Sequence, residues 1–203
     1  MYHGKDPVGK SLWAAVLARP QDKHLRLVYA DWLEESGHDY LLARFIRAQI
    51  DNDNQTASHI LVGKHPKGST CLRHWTESLR RVVRPAEPLL SRLTYWIHFS
   101  DGFPCHLTLP LHVWGWNAEK LRKKSPITQV FLYSQCFHEA EITVSTRMLS
   151  HACQGMEYVQ LSAEIPFQRW RQIYETEAAV LNEQLADALP GTETRVLLSW
   201  HLD

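Results

Sequence analysis

The feature that most constrains this chain is a change of hydrophobic period near Leu93. Before it, apolar residues recur at helical spacing. After it, short apolar stretches with strand periodicity alternate with further helical patterns. A chain that switches from a 3.6-residue to a 2-residue period cannot be all helix or all sheet, because each period buries only one kind of face.

The helical part is clearest between Asp22 and Gly37, where Leu25, Val28, Tyr29, Trp32 and Leu33 fall at i, i+3, i+4, i+7 and i+8. Asp22 can cap that helix and Gly37 can close it, with Arg26, Asp31, Glu34 and Glu35 elsewhere on its surface. A shorter helix precedes it, capped at Ser11, using Leu12, Trp13, Val16 and Leu17 and stopped by Pro20. A third follows over about Tyr40–Ile50, with Leu42, Phe45, Ile46 and Ile50 on one side and Asp51-Asn52-Asp53-Asn54 ending it. Such short helices are marginal alone and are expected to pack together. Residues 51–69 read as a polar connection with a short helical piece around His59–Val62. Another amphipathic helix spans about Thr70–Arg84, and Pro85 ends it.

Beyond Leu93, Tyr95–Phe99 and Cys105–Leu109 read as two strands around the turn dipeptide Asp101-Gly102, a β-hairpin. Helical patterns then cover about His112–Lys124, Thr146–Gln154 and Arg169–Leu189. Strand patterns cover about Thr128–Tyr133, Glu157–Ser162 and Thr194–Trp200. Three strands share an apolar-x-apolar core, Val130-Phe131-Leu132, Val159-Gln160-Leu161 and Val196-Leu197-Leu198, at steps of 29 and 37 residues. Leu107-Thr108-Leu109 precedes the first by 23. Units of this kind stack as a leucine-rich-repeat-like array with a parallel sheet. The consensus leucine ladder and its asparagine are missing, so an ordinary βα sheet stays open. The expected fold is α/β, with α+β as the alternative: a helical module over 1–60, a linker and amphipathic helix over 61–92, and a hairpin plus βα array with a mainly parallel sheet over 93–203.

Function is less legible. Among 203 residues there is no apolar run long enough for a membrane span, and the first residues, Met1 to Asp6, lack the apolar core of a signal peptide. A soluble, cytoplasmic chain is expected. Four scattered cysteines without a CxxC pair give no disulfide framework. The neighbourhoods His65/Cys71/His74 and His98/Cys105/His106 do not supply the four convergent ligands zinc requires, and adjacent Cys105 and His106 would point to opposite faces of a strand. The expectation is buried thiols and surface imidazoles, with no metal and no cofactor. Asp31, Glu34 and Glu35 could form a carboxylate cluster, but no histidine is tied to them. Asp31 is expected to pair with Arg26, Arg44 or Arg47 while the glutamates are solvated. No G-x-S-x-G, glycine-rich phosphate loop or HExxH is present, so no catalytic residue is named.

The net charge is zero but unevenly spread. Residues 61–125 hold 11 basic and 4 acidic side chains, and residues 126–203 hold 4 basic and 10 acidic. Arg80, Arg81 and Arg84 lie on one helical pattern and Lys120, Arg122, Lys123 and Lys124 on another, with tryptophans nearby. This is a candidate surface for an anionic partner, nucleic acid included. Against it, cations also suit helix C-termini, the acidic last third repels a polyanion, and the two charged segments could instead face each other, within the chain or between copies. Of eight tryptophans, Trp114, Trp116 and Trp170 sit in otherwise amphipathic helices and are expected in cores; any left exposed is a natural anchor for a protein partner.

The segment Arg26-Leu27-Val28-Tyr29-Ala30-Asp31-Trp32-Leu33-Glu34-Glu35-Ser36-Gly37 resembles the bacterial repeat-companion domain, a short N-terminal module found beside repeat regions. The family's E-F-I-R-x-Q element has its counterpart in Arg44-Phe45-Ile46-Arg47-Ala48-Gln49, with arginine in place of the acid. Asp101-Gly102-Phe103 resembles the family's R-G-F, and Asn117–Leu121 ahead of Ser125-Pro126-Ile127 continues the likeness. The match is close over about residues 11–50 and looser over 95–133. It implies a helical cap joined to leucine-rich-repeat-like units, structural roles for Arg26, Tyr29, Asp31, Trp32, Glu34 and Phe45, and no established reaction. The resulting expectation is a noncatalytic protein-protein interaction or scaffold module, with a nucleic-acid-binding accessory protein as the alternative. No membrane partner is expected, and the residues leave the protein partner, the process and the assembly state open.

Overall fold

The structure, a computed structural model, describes residues 6–61, 77, 79, 81, 96–134, 149–166 and 179–201. They divide between two compact units that are not contiguous in sequence. The first draws on residues 1–85, 97–105 and 121–126, the second on 86–96, 106–120 and 127–203.

Four helices of the first unit begin on an aspartate or directly after one. Helix α1 is Pro7–Ala18 and starts earlier than the cap expected at Ser11, which lies inside it. Asp6 is the true cap, accepting the Val8 N–H at 2.8 Å, and Pro7 takes the first position, where a missing N–H costs nothing. Helix α2, Lys23–Glu35, is capped by Asp22 through the Leu25 N–H at 3.1 Å. Gly37, at φ +66, closes it: its N–H bonds Glu34 O and the His38 N–H bonds Leu33 O, both at 3.1 Å. Helix α3, Tyr40–Ile50, has Asp39 on the Leu42 N–H at 2.9 Å and ends on Asn52, whose φ is +59. Asp53 then starts α4, Asn54–Leu61, so the short helical piece expected at His59–Val62 begins five residues earlier.

The buried stripe of α2 runs through Arg26, Tyr29, Ala30 and Leu33, one position away from the apolar stripe read from the sequence. Leu25, Val28 and Trp32 are only half-buried. The rotation has a physical cause, because Arg26 finds carbonyl acceptors in the hairpin and no longer needs solvent. Trp13, Tyr29, Phe45, Ile46 and Ile60 share one core with Phe103 and Cys105 from that hairpin. Phe103 is fully buried, with ring centroids 5.6 Å from Trp13 and 6.1 Å from Tyr29. Burying such a ring contributes roughly 1.5–3 kcal/mol.

The hairpin joins β1, Trp96–Ser100, to β2, Phe103–Pro110. Its two turn residues, Asp101 and Gly102, have φ of +48 and +89, as a two-residue hairpin turn requires. Gly102 lies directly against α3. A Cβ there would sit 2.3 Å from Ile46 Cγ1 and 2.7 Å from Ile46 Cα. Its N–H donates to Gln49 Oε1 at 2.7 Å, and Gln49 Nε2 donates to Phe99 O at 3.4 Å.

The five strands form one sheet in the order β1-β2-β3-β4-β5, with β3 at Gln129–Ser134, β4 at Tyr158–Pro166 and β5 at Glu193–His201. From β2 onward every neighbouring pair is parallel, which makes the fold α/β. Each parallel crossover carries helix: α5, Leu111–Arg122, then residues 149–152, then residues 179–188. Strictly sequential parallel strands with right-handed crossovers place every connection on the same face of the sheet. The Trp114 indole N–H on α5 bonds Cys153 Sγ of the next connection at 3.1 Å, as this requires. That is the repeat-array arrangement, without the reversal of strand order seen in a doubly wound sheet.

The register corrects one alignment. Val130 pairs with Val159 and Leu132 with Leu161, but Val159 meets Thr194 and Leu161 meets Val196. The last strand is thus displaced by two residues from the frame that equates Val196 with Val159. A two-residue slip keeps every side chain on its face, so the apolar pattern alone could not detect it.

Candidate functional site

The strand register of the second unit builds two faces. Leu107, Leu109, Val130, Leu132, Val159 and Leu161 are buried beneath the connections. The alternating residues form rows on the other face: His106, Gln129, Tyr158 and Glu193, then Thr108, Phe131, Gln160 and Arg195. Glu193 and Arg195 are exposed and the rest half-buried. Phe131 packs on Tyr158 at 5.5 Å between centroids, and the Tyr158 hydroxyl donates to Gln160 Oε1 at 3.0 Å. Gln129 Nε2 donates to Glu157 Oε2 at 3.3 Å at the edge of this face. The result is a pre-set surface of two rings in tilted contact, bordered by amides, by the carboxylates of Glu157 and Glu193 and by the Arg195 guanidinium. None of these residues was singled out as a site from the sequence. Phe131 and Gln160 occupy the middle of the apolar-x-apolar cores, and that position was the available signal.

The residues expected to face an anionic partner are placed as follows. Arg80 and Arg84 lie outside the described residues. Arg81 is exposed and reaches Glu77 Oε1 at 3.4 Å, one helical turn away. Lys120 and Lys123 are exposed, while Arg122 and Lys124 are half-buried. The latter three stand at or just beyond the end of α5, where a helix dipole favours cations. Trp114 is in the core as expected, but Trp116 is not: it is 67% exposed, with His112 edge-on to its ring at 5.6 Å. Position 116 lies on the outer side of α5, away from Val113, Trp114 and Ala118, which are buried. Trp170 lies outside the described residues.

Of the residues implied by the family resemblance, Tyr29 and Phe45 are buried, Trp32 is half-buried, and Asp31 and Glu34 are exposed. Arg47 bridges the two acids, at 2.7 Å from Asp31 and 2.6 Å from Glu34. Glu34 is therefore paired and not simply solvated, and Arg26 is not the partner of Asp31. The Asp31 hydrogen bond is the main reason the Arg47 pKa rises above its ordinary value. This constellation is an exposed charge clasp between α2 and α3.

Arg26 is 2% exposed. Nη1 donates to Ser100 O at 2.7 Å and Asp101 O at 3.3 Å, and Nη2 donates to Pro20 O and to Cys105 Sγ. Its guanidinium lies 5.3 Å from the Phe103 centroid. Cys105 is a buried free thiol; burial pushes its pKa up, and the neighbouring Arg26 opposes that shift. His98 is exposed and His106 half-buried, while His65, Cys71 and His74 lie outside the described residues. Among the described residues no three metal-binding side chains converge. Nor, among them, is any helix long and apolar enough to cross a membrane. No protein-family model, no curated protein and no solved structure matches this chain.

Proposed function

We propose that this chain is a noncatalytic protein-interaction or scaffold module acting in the cytoplasm, of the repeat-companion kind that residues 26–37 resemble. Its protein partner docks on the open face of the sheet. The observation that carries this reading is the tilted aromatic pair Phe131 and Tyr158, bordered by Gln160 and Arg195. Rigid aromatic rings offer contact area at little entropic cost, and adjoining amide and guanidinium groups offer directional hydrogen bonds.

The test is affinity purification from the native cell, for the unaltered chain and for Phe131→Asp/Arg195→Glu, followed by mass spectrometry and the 260/280 nm absorbance ratio. A stoichiometric protein bound to the first and lost from the second is the expected result. A partner that ignores the substitutions overturns the docking face. A high absorbance ratio that collapses under nuclease and salt overturns the protein-partner reading and moves function to Lys120, Arg122, Lys123 and Lys124.

A further inference from the structure

Strand β5 closes one side of the sheet, and among the described residues no strand lies beyond it. At the opposite side α3 engages β1, where Gln49 Nε2 donates to Phe99 O at 3.4 Å. Strand β5 runs nine residues in unbroken parallel register with β4, without a bulge. Over Glu193–His201 it contains no proline and no lysine, the residues that commonly blunt an exposed edge.

One hydrogen bond fixes which backbone groups face outward. The Glu193 N–H turns toward β4 and donates to Glu157 O at 2.8 Å. In a parallel ladder each residue turns its N–H and C=O to the same side, and successive residues alternate. The odd-numbered residues of β5 are therefore engaged by β4, while Thr194, Val196, Leu198 and Trp200 turn their backbone groups away. Among the described residues no backbone group bonds these four. Such a row is a template for a further strand.

The spacing of those groups selects the occupant. Antiparallel pairing joins outward residues to outward residues in pairs that exchange both bonds. Laid against a second copy of itself about an axis through Leu197, β5 pairs Thr194 with Trp200 and Val196 with Leu198, each twice. Any other register pairs fewer of the four. The same alignment sets Glu193 opposite position 201, a histidine, and Arg195 opposite Ser199, so no two like charges meet. We propose that β5 binds a second copy of this chain, strand to strand and antiparallel, in a two-fold dimer centred on Leu197. An antiparallel step beside parallel strands is common in mixed sheets. The axis stands normal to the sheet, so both open faces lie on one side and the surface around Phe131 and Tyr158 is presented twice. The dimer uses the edge and not that face, so either proposal can fail alone.

Sedimentation equilibrium of the full chain at up to about 0.1 mM should give twice the 23.6 kDa of one chain. Val196→Pro removes an outward N–H that β4 does not use, a place where an edge strand accepts proline. It should keep the circular dichroism of the unaltered chain and weaken self-association by about tenfold or more. Leu197→Cys places two thiols on the axis, in a non-hydrogen-bonded pair whose Cα atoms stand about 4.5 Å apart, within disulfide reach. Oxidised glutathione should convert that variant to a covalent dimer and leave Arg195→Cys and the unaltered chain uncoupled. A mass of one chain throughout overturns the proposal. So does a dimer that survives Val196→Pro, or coupling at position 195 in preference to 197. If Val196→Pro unfolds, the Leu197→Cys variant decides, and its failure to couple overturns the proposal.

Discussion

The Arg26 guanidinium reaches across from α2 to the turn of the hairpin, lying 3.7 Å from the Asp101 carboxylate and closer still to the carbonyl oxygens of Ser100 and Asp101. The order of those distances matters. The arginine holds the turn mainly by its backbone, and the carboxylate, which is less buried, adds a weaker attraction.

Arg26→Ala should therefore cost about 3–5 kcal/mol, since it removes four hydrogen bonds donated by one buried, charged side chain. Asp101→Asn should cost about 1 kcal/mol or less, because it loses only two long, partly solvated ion pairs, to Arg26 and to Lys23, both at 3.7 Å. Arg26→Lys should fall between them, as an ammonium cannot fork between carbonyls. Urea unfolding gives the energies, and hydrogen exchange at the β1–β2 turn amides should rise first in Arg26→Ala. Equal losses for the arginine and aspartate variants would show that the ion pair, and not the backbone, is what Arg26 supplies.

Gly102→Ala tests the close approach of the turn to α3. The substitution imposes a Cβ on a residue at φ +89 and drives it against both the side chain and the Cα of Ile46. A loss of about 2–4 kcal/mol is expected. Because backbone is part of the obstruction, Ile46→Ala should not rescue it: the double variant should remain clearly less stable than Ile46→Ala alone in thermal melts.

Cys105 supplies a pH prediction. Burial, its largest cause, raises the folded thiol above the usual value of about 8.5, against the opposing pull of Arg26. Stabilisation from the neutral thiol is thus fully present below about pH 8.5 and is lost as pH rises through the folded pKa. Cys105→Ala should flatten that part of the alkaline stability curve. Labelling of the native thiol at pH 8 should be about tenfold or more slower than in urea, because reagent must await local opening. Rapid labelling of the folded chain at Cys105 would contradict the burial.

What could be read from the sequence follows from how local each cause is. Asp22, Gly37 and the Asp101-Gly102 turn act within a few residues of themselves, and their roles were visible. The start of α1 lies at the Asp6-Pro7 pair and not at Ser11, although the aspartate-proline pair is an equally local signal. The rotation of the α2 stripe was not available, since the acceptors of Arg26 lie 74 and 75 residues away. The parallel strands were legible from apolar alternation, but the frame of β5 was not, as that alternation is indifferent to a shift by two. The open face is hidden in the sequence for a related reason. Phe131 and Gln160 look unremarkable one at a time and become neighbours only through pairing.

The core that α1, α2 and α3 build is closed by Phe103 and Cys105, which the chain delivers only after more than forty further residues have passed beyond Leu61. Heredity must respect that arrangement. A recombination event that exchanges the first sixty residues for those of a cousin brings a foreign socket to the resident hairpin, and a wrong ring at position 103 or a side chain at position 102 leaves the socket unfilled or blocked. Arg26, which grips the turn by its carbonyls, and Gly102, which leaves no room beside the Ile46 backbone, are therefore positions that evolution must keep together. Their joint presence, more than the similarity of either stretch by itself, would mark the chains that share this architecture.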